Sequence, residues 1–479
     1  MNGRQARRVE PTPPRTTFET SRAAEYFTAE GLTKLTEQSP LLFGSVVVKE
    51  LGDNALDAAE TARVEPEVLI SVRRKRGSRR GDVLQVSISD NGGGIPPGTV
   101  ETMQDFSTLT SDKAHYRTPT RGSQGNALKT IIGIPHALGL RDEPVVIEGQ
   151  GIRHTIKPVI DAAGVPRLPR EVEGIPVSAG TRVTVPLPAD ALEFNPDRWA
   201  RAFALFNPHA FVKIEQFGGG TEHGNWPPET TEIYKPAESG FSKYRPDDWG
   251  SPHWYDARTI GALIGAHAAR TLAGEAEDMP LGAFISGLTG LSSPAKAKRV
   301  RRHLKEIKHL SDFLHGHDQL DRFRVGLLLE AMQEETKAPT HKTLGRIGAD
   351  NFETRLTQMY GELVRFGYKH VESYWPTSGL PYIFEFAVAE TEDYHPDALY
   401  YGINHSPTFD DPLRRVLLEG PKYTSTSTGQ FLQEGFAHPK YATTGDPGPS
   451  SFTAVALHII TPAPMFTGKG KTNLNARGM

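Results

Sequence analysis

The stretch Glu50-Leu-Gly-Asp-Asn-Ala-Leu-Asp-Ala58 most constrains what this chain can become. It continues an apolar run, Leu41 to Val48, and no proline interrupts it before Pro66, so the segment reads as the middle of a buried helix. Three polar residues break that burial. Glu50, Asn54 and Asp57 stand at i, i+4 and i+7, which puts them on one helical face, while Val46, Val47, Leu51 and Ala55 cover the other side. A packed helix that turns carboxylates and a carboxamide toward a cavity suits a magnesium nucleotide. Magnesium takes oxygen ligands and shares them with phosphates and water, so the single carboxamide oxygen of Asn54 is enough protein for it. A carboxylate one turn away, that of Glu50, can hold the attacking water. Taken alone, the same spacing also fits a surface helix with a solvated face.

Length and charge set the frame. At 479 residues the chain exceeds what one hydrophobic core usually serves, and two or three domains are expected. A formal net charge of −3 excludes a uniformly basic nucleic-acid coat, so any contact with DNA must be local. The absence of cysteine excludes disulfides, cysteine zinc ligands and thiol catalysis. No apolar run approaches the roughly 18 residues of a membrane span. Near the N-terminus, Arg4, Arg7 and Arg8 followed by Pro11, Pro13 and Pro14 lack the apolar core of a secretory signal. The expectation is a cytoplasmic protein, not associated with membranes, whose tip at residues 1–16 is disordered.

In chain order, a helix can start near Ser21, where Ala23, Ala24, Tyr26 and Phe27 supply apolar positions. Beyond the Glu50 helix, a basic hairpin leads into the alternating strand Val83-Leu-Gln-Val-Ser-Ile-Ser89, which ends in Asp90-Asn-Gly-Gly-Gly-Ile-Pro96. An acid at a strand end can accept a hydrogen bond from an exocyclic amine, and the glycines let backbone approach a flat ligand. Arg121-Gly-Ser-Gln-Gly-Asn-Ala127 then opens an apolar helical run from Leu128 to Leu138, where unpaired N–H groups at the helix start attract phosphate. Gly180-Thr-Arg-Val-Thr-Val-Pro-Leu187 reads as a strand with a hydroxyl near its start. Singly, each piece is common in proteins of many kinds.

In this order the four pieces resemble the Bergerat nucleotide fold of the GHKL ATPases, the family of gyrase, the large heat-shock chaperone, the histidine kinases, MutL and the B-type ATPase component of DNA topoisomerase VI. The resemblance implies Glu50 as general base, Asn54 as magnesium ligand, Asp90 as the acid that reads adenine, and Gly92 and Gly94 as the glycines beside the base. Gly122, Ser123, Gln124, Gly125 and Asn126 match the ATP lid, and Thr181 matches the threonine that supports the adenine-side hydrogen bonds. Asp57 and Lys113 are expected to complete the ATP contacts. One position departs: Ala127 stands where the lid pattern commonly has glycine. The histidine-kinase branch needs a phospho-accepting histidine before the ATPase domain, whereas the first histidine here is His115. The wording of the Glu50 helix, the lid, and Phe18-Glu-Thr-Ser-Arg-Ala-Ala-Glu-Tyr-Phe27 resemble the B-type component of topoisomerase VI and its bacterial relatives.

The glycine- and proline-rich stretch 216–252 marks a domain boundary, after which the pattern is helical to about residue 345. There, Gly290-Leu-Ser-Ser-Pro-Ala-Lys-Ala-Lys-Arg-Val-Arg-Arg302 offers Ser292 or Ser293 as helix cap, Pro294 in the first turn, and the basic residues Lys296, Lys298, Arg299, Arg301 and Arg302. It resembles the family's helix-two-turns-helix module, with those residues as DNA contacts; a solvated basic helix with no ligand has the same pattern. Leu344-Gly-Arg-Ile-Gly348 resembles the entry to the family's transducer, and Tyr400-Tyr-Gly-Ile-Asn-His-Ser-Pro407 resembles its Asn-Arg-x-Pro strand end, with His405 in place of the arginine. Strand Ala454 to Ile460 leads to Phe466-Thr-Gly-Lys-Gly-Lys-Thr-Asn-Leu474, where Lys471 matches the lysine that bonds the terminal phosphate, with Lys469 as fallback.

The sequence therefore leads to an α+β chain: a Bergerat ATPase α/β sandwich at 17–240, a helix-two-turns-helix-like region at 241–345 and a transducer-like α/β domain at 346–479. The resemblance implies an ATP-binding and hydrolysing subunit of a topoisomerase-VI-like DNA machine. ATP and Mg2+ would close two copies into a homodimer, and the partner would be a topoisomerase-VI-A-like cleaving subunit or a nuclease. One alternative is a clamp of the MutL or MORC type that grips DNA or recruits a nuclease without strand passage; another is a module that holds ATP without turnover. Eight residues, Thr472 to Met479, follow Lys471. As a helix they would extend roughly 12 Å at about 1.5 Å per residue, short of the family's docking stalk, so completion by a separate protein is expected.

Overall fold

The computed structural model describes residues 22–75, 81–103, 106, 113, 115–122, 127–161, 164–189, 193–218, 229–237, 240–316, 319–392, 398–412, 452–468 and 474–475. The expected disordered tip lies outside them. A 3-10 segment, Arg22–Phe27, leads into α1 (Ala29–Thr36), which Thr28 caps by accepting a 3.1 Å hydrogen bond from the Gly31 N–H. The Glu50 segment forms α2 (Phe43–Thr61), buried over most of its length. It stops where Arg63 takes a left-handed conformation and the Val64 N–H reaches back to the Ala59 carbonyl at 3.1 Å.

Strands β1 (Glu67–Lys75) and β2 (Val83–Ser89) pair antiparallel, and β2 keeps the bounds expected from sequence. After α3 (Pro97–Thr102) and α4 (Ala127–Ala137) come β3 (Val145–Gly149), β4 (Ile152–Ile156), the two-residue strands β5 (Val159–Ile160) and β6 (Pro166–Arg167), β7 (Arg170–Gly174) and β8 (Thr181–Pro188). The chain then forms α5 (Pro196–Phe206), β9 (Phe211–Phe217) and β10 (Thr230–Tyr234). The large sheet reads β10-β9-β1-β2-β8-β3-β4-β7, antiparallel except where β1 meets β9. Its apolar face and α2, α4 and α5 share one core that includes Val47, Ile70, Val86, Ile131, Val185 and Phe203. At about 25 cal/mol per Å² of apolar surface, that burial is the main force holding α2 on the sheet. Gly52 matters to the fit, since a Cβ there would meet the Phe203 ring at 2.3 Å.

Within the stretch 216–252, the expected division at 240/241 leaves β10 with the first domain. β10 lies inside that stretch and rejoins the large sheet, because the alternation of Thr230 to Tyr234 suits an edge strand paired with β9.

The middle region holds α6 (Ala257–Leu272), α7 (Leu281–Gly287), α8 (Pro294–Arg301), the short hairpin β11 (Leu314–His315) and β12 (Gln319–Leu320), and α9 (Arg322–Glu334). A reciprocal capping box between Asp256 and Thr259 starts α6. Ser293 sits at the N-cap of α8 without a side-chain bond, so the hydroxyl cap expected there is not made and Pro294 alone marks the first turn. The chain closes with α10 (Ala349–Tyr360), β13 (Arg365–Tyr374), β14 (Pro381–Thr391), β15 (Leu399–Ile403), β16 (Ser406–Pro407) and β17 (Phe452–Ile460). These strands form a second sheet ordered β13-β14-β17-β15-β16. The two faces of β17 serve different cores, as its period of two requires. Leu457 and Ile459 join the core of the middle helices, while Ala454 and Ala456 join the core made with α5 and α10.

Candidate functional site

A cavity of about 680 Å³ opens between α2, the loop after β2, β8 and the start of α4. Glu50, Asn54 and Asp57 all line it, as the helical spacing predicted, and so do Asp90, Gly94, Lys113, Gly122 and Thr181. Gly92 does not. Its Cβ would strike the Ala58 carbonyl oxygen at 2.7 Å, so its place is explained by the close crossing of the loop over α2. Gly93, for which sequence alone gave no role, faces the cavity with open space around it.

Asp90 is fixed by backbone. Its Oδ1 accepts from the Gly92 N–H at 2.8 Å and the Thr181 N–H at 3.2 Å, while the Asp90 N–H donates to the Thr181 carbonyl at 3.0 Å. The Thr181 hydroxyl accepts from the Ile95 N–H at 2.9 Å and so ties the glycine loop to β8. Gly180 permits the approach, because its φ is +76° and a Cβ would fall 1.7 Å from the Asp90 carbonyl oxygen. Burial pushes the Asp90 carboxyl up to about 6 despite those two N–H donors. A carboxyl with one oxygen pinned and the other directed to a cavity can accept a hydrogen bond from a ligand amine.

Glu50 is held from the side. The buried Lys49 ammonium lies 3.0 Å from Glu50 Oε1 and 3.1 Å from Asp53 Oδ2. Burial alone would lower the Lys49 pKa, but the two carboxylates outweigh it and raise the group above its ordinary value. Asp53 is itself buried and accepts a 2.6 Å hydrogen bond from the Ser406 hydroxyl of the second sheet.

Asp57 uses its oxygens on protein: Oδ2 receives Lys113 and Oδ1 receives Arg121 Nη1 at 2.9 Å. It therefore positions Lys113 at the cavity wall and binds the buried Arg121. Arg121 is fully buried and forms two parallel 2.9 Å bonds to Glu60, with Asn207 as a further partner. Glu60 also accepts from Lys243 at 2.6 Å and from His209 at 2.9 Å. Burial would raise the Glu60 carboxyl, yet Arg121 and Lys243 hold it well below the usual carboxylate range. Burial and the facing Arg121 push Lys243 down to about 8.

Ala127 is the first residue of α4 and lines the cavity with Leu128 and the buried Lys129. Ser123, Gln124, Gly125, Asn126, Lys469 and Lys471 lie outside the described residues. On α8 and just beyond it, Lys298, Arg299, Arg301 and Arg302 are exposed. Arg299 is paired with Glu335 at 2.6 Å, and the Lys296 ammonium donates to the Gly290 carbonyl at 2.9 Å. Sequence alone did not single out Lys49, Asp53 or Ser406. The first two carried a signal: charges at i and i+4 on the core side of an apolar helix need a partner.

Residues 45–134 match the family described as histidine kinase-, DNA gyrase B-, and HSP90-like ATPase, so the chain carries a GHKL ATPase domain. Within that class it resembles the B-type component of topoisomerase VI. It is similar to the type 2 DNA topoisomerase 6 B subunit of Halobacterium salinarum, at 27% identity over 206 residues covering 39% of this chain and 24% of the relative. A second similarity is to the protein of the same name from Natronomonas pharaonis, at 34% identity over 85 residues covering 18% of this chain and 10% of the relative. The chain thus spans about a quarter or less of the length of the curated relatives it matches. Among the described residues, no helix is long and apolar enough to cross a membrane.

Proposed function

We propose that this chain is the ATP-binding and hydrolysing subunit of a topoisomerase-VI-like DNA machine, closing as a homodimer on ATP and acting with a separate cleaving protein. The observation that supports this most is the convergence of Glu50, Asn54 and Asp90 on one cavity, with Asp90 pinned at a single oxygen. The adenine amine donates to the second oxygen of Asp90, and Lys113 and Lys129 offer positive charge to the phosphates. Glu50 accepts a proton from water as the water oxygen bonds to the γ-phosphorus. The bond to the β–γ bridging oxygen breaks with its electron pair, releasing ADP and inorganic phosphate.

Asn54 suits magnesium, because its exposed carboxamide supplies one hard oxygen beside the space for phosphates, the kind of donor set that ion accepts. When bound, the ion neutralises charge on the phosphate oxygens. Lys471 is the residue of this chain proposed to contact the terminal phosphate and report it to the second sheet. Lys298, Arg301 and Arg302 are proposed to meet DNA phosphates.

The purified chain should hydrolyse ATP slowly, double in mass by light scattering with a non-hydrolysable analogue, and leave supercoiled DNA unchanged until a cleaving protein is added. No turnover, or DNA cleavage by a nuclease-free preparation of the chain alone, would overturn the proposal. Closure on DNA with no cleaving protein able to act through it would indicate a clamp of the MutL or MORC type.

A further inference from the structure

The turn between β15 and β16 consists of Asn404 and His405, both with positive φ (49° and 67°), which is the backbone of a tight two-residue hairpin. Its tip is buried and bonded on several sides. Asn404 donates to the carbonyls of Thr461 at 2.9 Å and Thr120 at 3.3 Å, and accepts from the Thr461 N–H at 2.9 Å. The His405 N–H donates to His458 Nε2 at 3.1 Å, and His405 Nδ1 donates to the Phe206 carbonyl at 3.2 Å. Ser406, next in sequence, is thereby fixed relative to both the second sheet and α5.

From that fixed position Ser406 reaches 353 residues back in sequence to Asp53. Asp53 Oδ2 is shared between the Ser406 hydroxyl at 2.6 Å and Lys49 Nζ at 3.1 Å, and the same ammonium holds Glu50 Oε1 at 3.0 Å.

We infer that the β15–β16 hairpin sets the posture of Glu50 through Ser406, Asp53 and Lys49, so that the attitude of the second sheet is felt at the base independently of any lysine at the terminal phosphate. Ser406 is a positioning residue: it touches neither cavity nor ligand. The inference rests on the proposed role of Glu50 as the base. If the hairpin withdraws, Asp53 loses its hydroxyl donor, Lys49 is redistributed between the two acids, and the Glu50 carboxylate turns. A misplacement of about 1 Å near the reacting atoms is enough to cost on the order of 10²-fold in rate.

The test is steady-state ATP hydrolysis by the full chain with Ser406→Ala, Ser406→Thr, Asp53→Asn and the Ser406→Ala/Asp53→Asn double variant, alongside Glu50→Gln. Ser406→Ala should lower kcat roughly tenfold and leave KM and ADP affinity within about twofold, and Ser406→Thr, which restores the hydroxyl, should recover most of the rate. The double variant should be no slower than Asp53→Asn, since both changes cut one chain of contacts. Should Ser406→Ala not fold, Ser406→Cys takes its place with the same expectation, its thiol being a weak donor of similar size. Turnover that Glu50→Gln abolishes and Ser406→Ala leaves intact overturns this inference alone, as does full additivity with Asp53→Asn. Turnover that persists in Glu50→Gln overturns the parent reading and this inference with it.

Discussion

Arg121 and Glu60 face each other through two parallel hydrogen bonds of 2.9 Å, joining the start of the lid sequence to the last turn of α2. Both side chains are buried, and Lys243 from the middle region closes the same carboxylate at 2.6 Å. Removing one partner strands a charge in the interior. Arg121→Ala should therefore destabilise the fold by about 3–5 kcal/mol, and Arg121→Lys should also destabilise it because an ammonium cannot reproduce the planar fork. Urea unfolding checks this, and unchanged midpoints for both variants would rule it out.

Glu50→Gln should preserve ATP binding and lower kcat by roughly 10²–10⁴-fold, the range in which a positioned base contributes. The amide keeps the size of the side chain and still offers an oxygen to Lys49. Calorimetry of ATP binding beside a phosphate-release assay separates the two effects. Wild-type turnover in this variant would remove Glu50 from the chemistry.

Much of the nucleotide half was legible. The i, i+4, i+7 spacing put Glu50, Asn54 and Asp57 on the cavity face of α2, alternation identified β2, and β8 was read within a residue of its ends. These features are local in sequence. What sequence could not show was what Lys49 and Asp53 were for, because their partners arrive from far away: Ser406 comes from the second sheet, and Arg121 stands 3.9 Å from the other oxygen of Asp53. The close crossing of Gly92 over α2 was hidden for a related reason, since a glycine needed for backbone crossing and one needed for ligand approach look alike until the neighbouring helix is in view. The core shared by the middle helices and the second sheet was likewise hidden, because the residues that build it lie far apart in sequence.

Asp90 gives a prediction of opposite signs for stability and binding. Its carboxyl is raised by burial to about 6 from an unfolded value near 3.9, so the folded state binds more protons between those values and stability falls as pH rises through that window. Above it, the ionised group costs the ligand-free fold on the order of 3 kcal/mol. Asp90→Asn should thus raise the melting temperature at pH 8, while weakening adenine nucleotides by about 1–3 kcal/mol because an amide can present a donor to the adenine amine. A variant that melts lower and binds ATP as tightly as wild type would contradict both halves.

Lys471 is proposed to touch only the terminal phosphate. Lys471→Ala should then leave ADP affinity within about twofold while weakening a non-hydrolysable ATP analogue by on the order of tenfold, a loss of about 1.4 kcal/mol. Titrations of the two ligands side by side decide it. Equal losses would assign the lysine to the fold, and the same ligand-selective loss on mutating Lys469 instead would move the role there.

The basic residues of the middle region are unequal, and their differences make the DNA proposal testable. Lys298, Arg301 and Arg302 are exposed, whereas Arg299 is paired with Glu335 and Lys296 is bonded to the Gly290 carbonyl. A side chain that meets a DNA phosphate releases counterions, and each lost contact lowers the slope of log affinity against log salt by about 0.9. Neutralising Lys298, Arg301 and Arg302 together should therefore flatten the slope by about 2.7 if each makes one contact. Neutralising Lys296 and Arg299 should change it less, because both would first have to leave a protein partner. The measurement is fluorescence anisotropy with a labelled duplex across a salt series. A slope unmoved by the triple variant would leave α8 a solvated basic helix, and a larger effect from Lys296 and Arg299 would mean that those internal bonds open when DNA arrives.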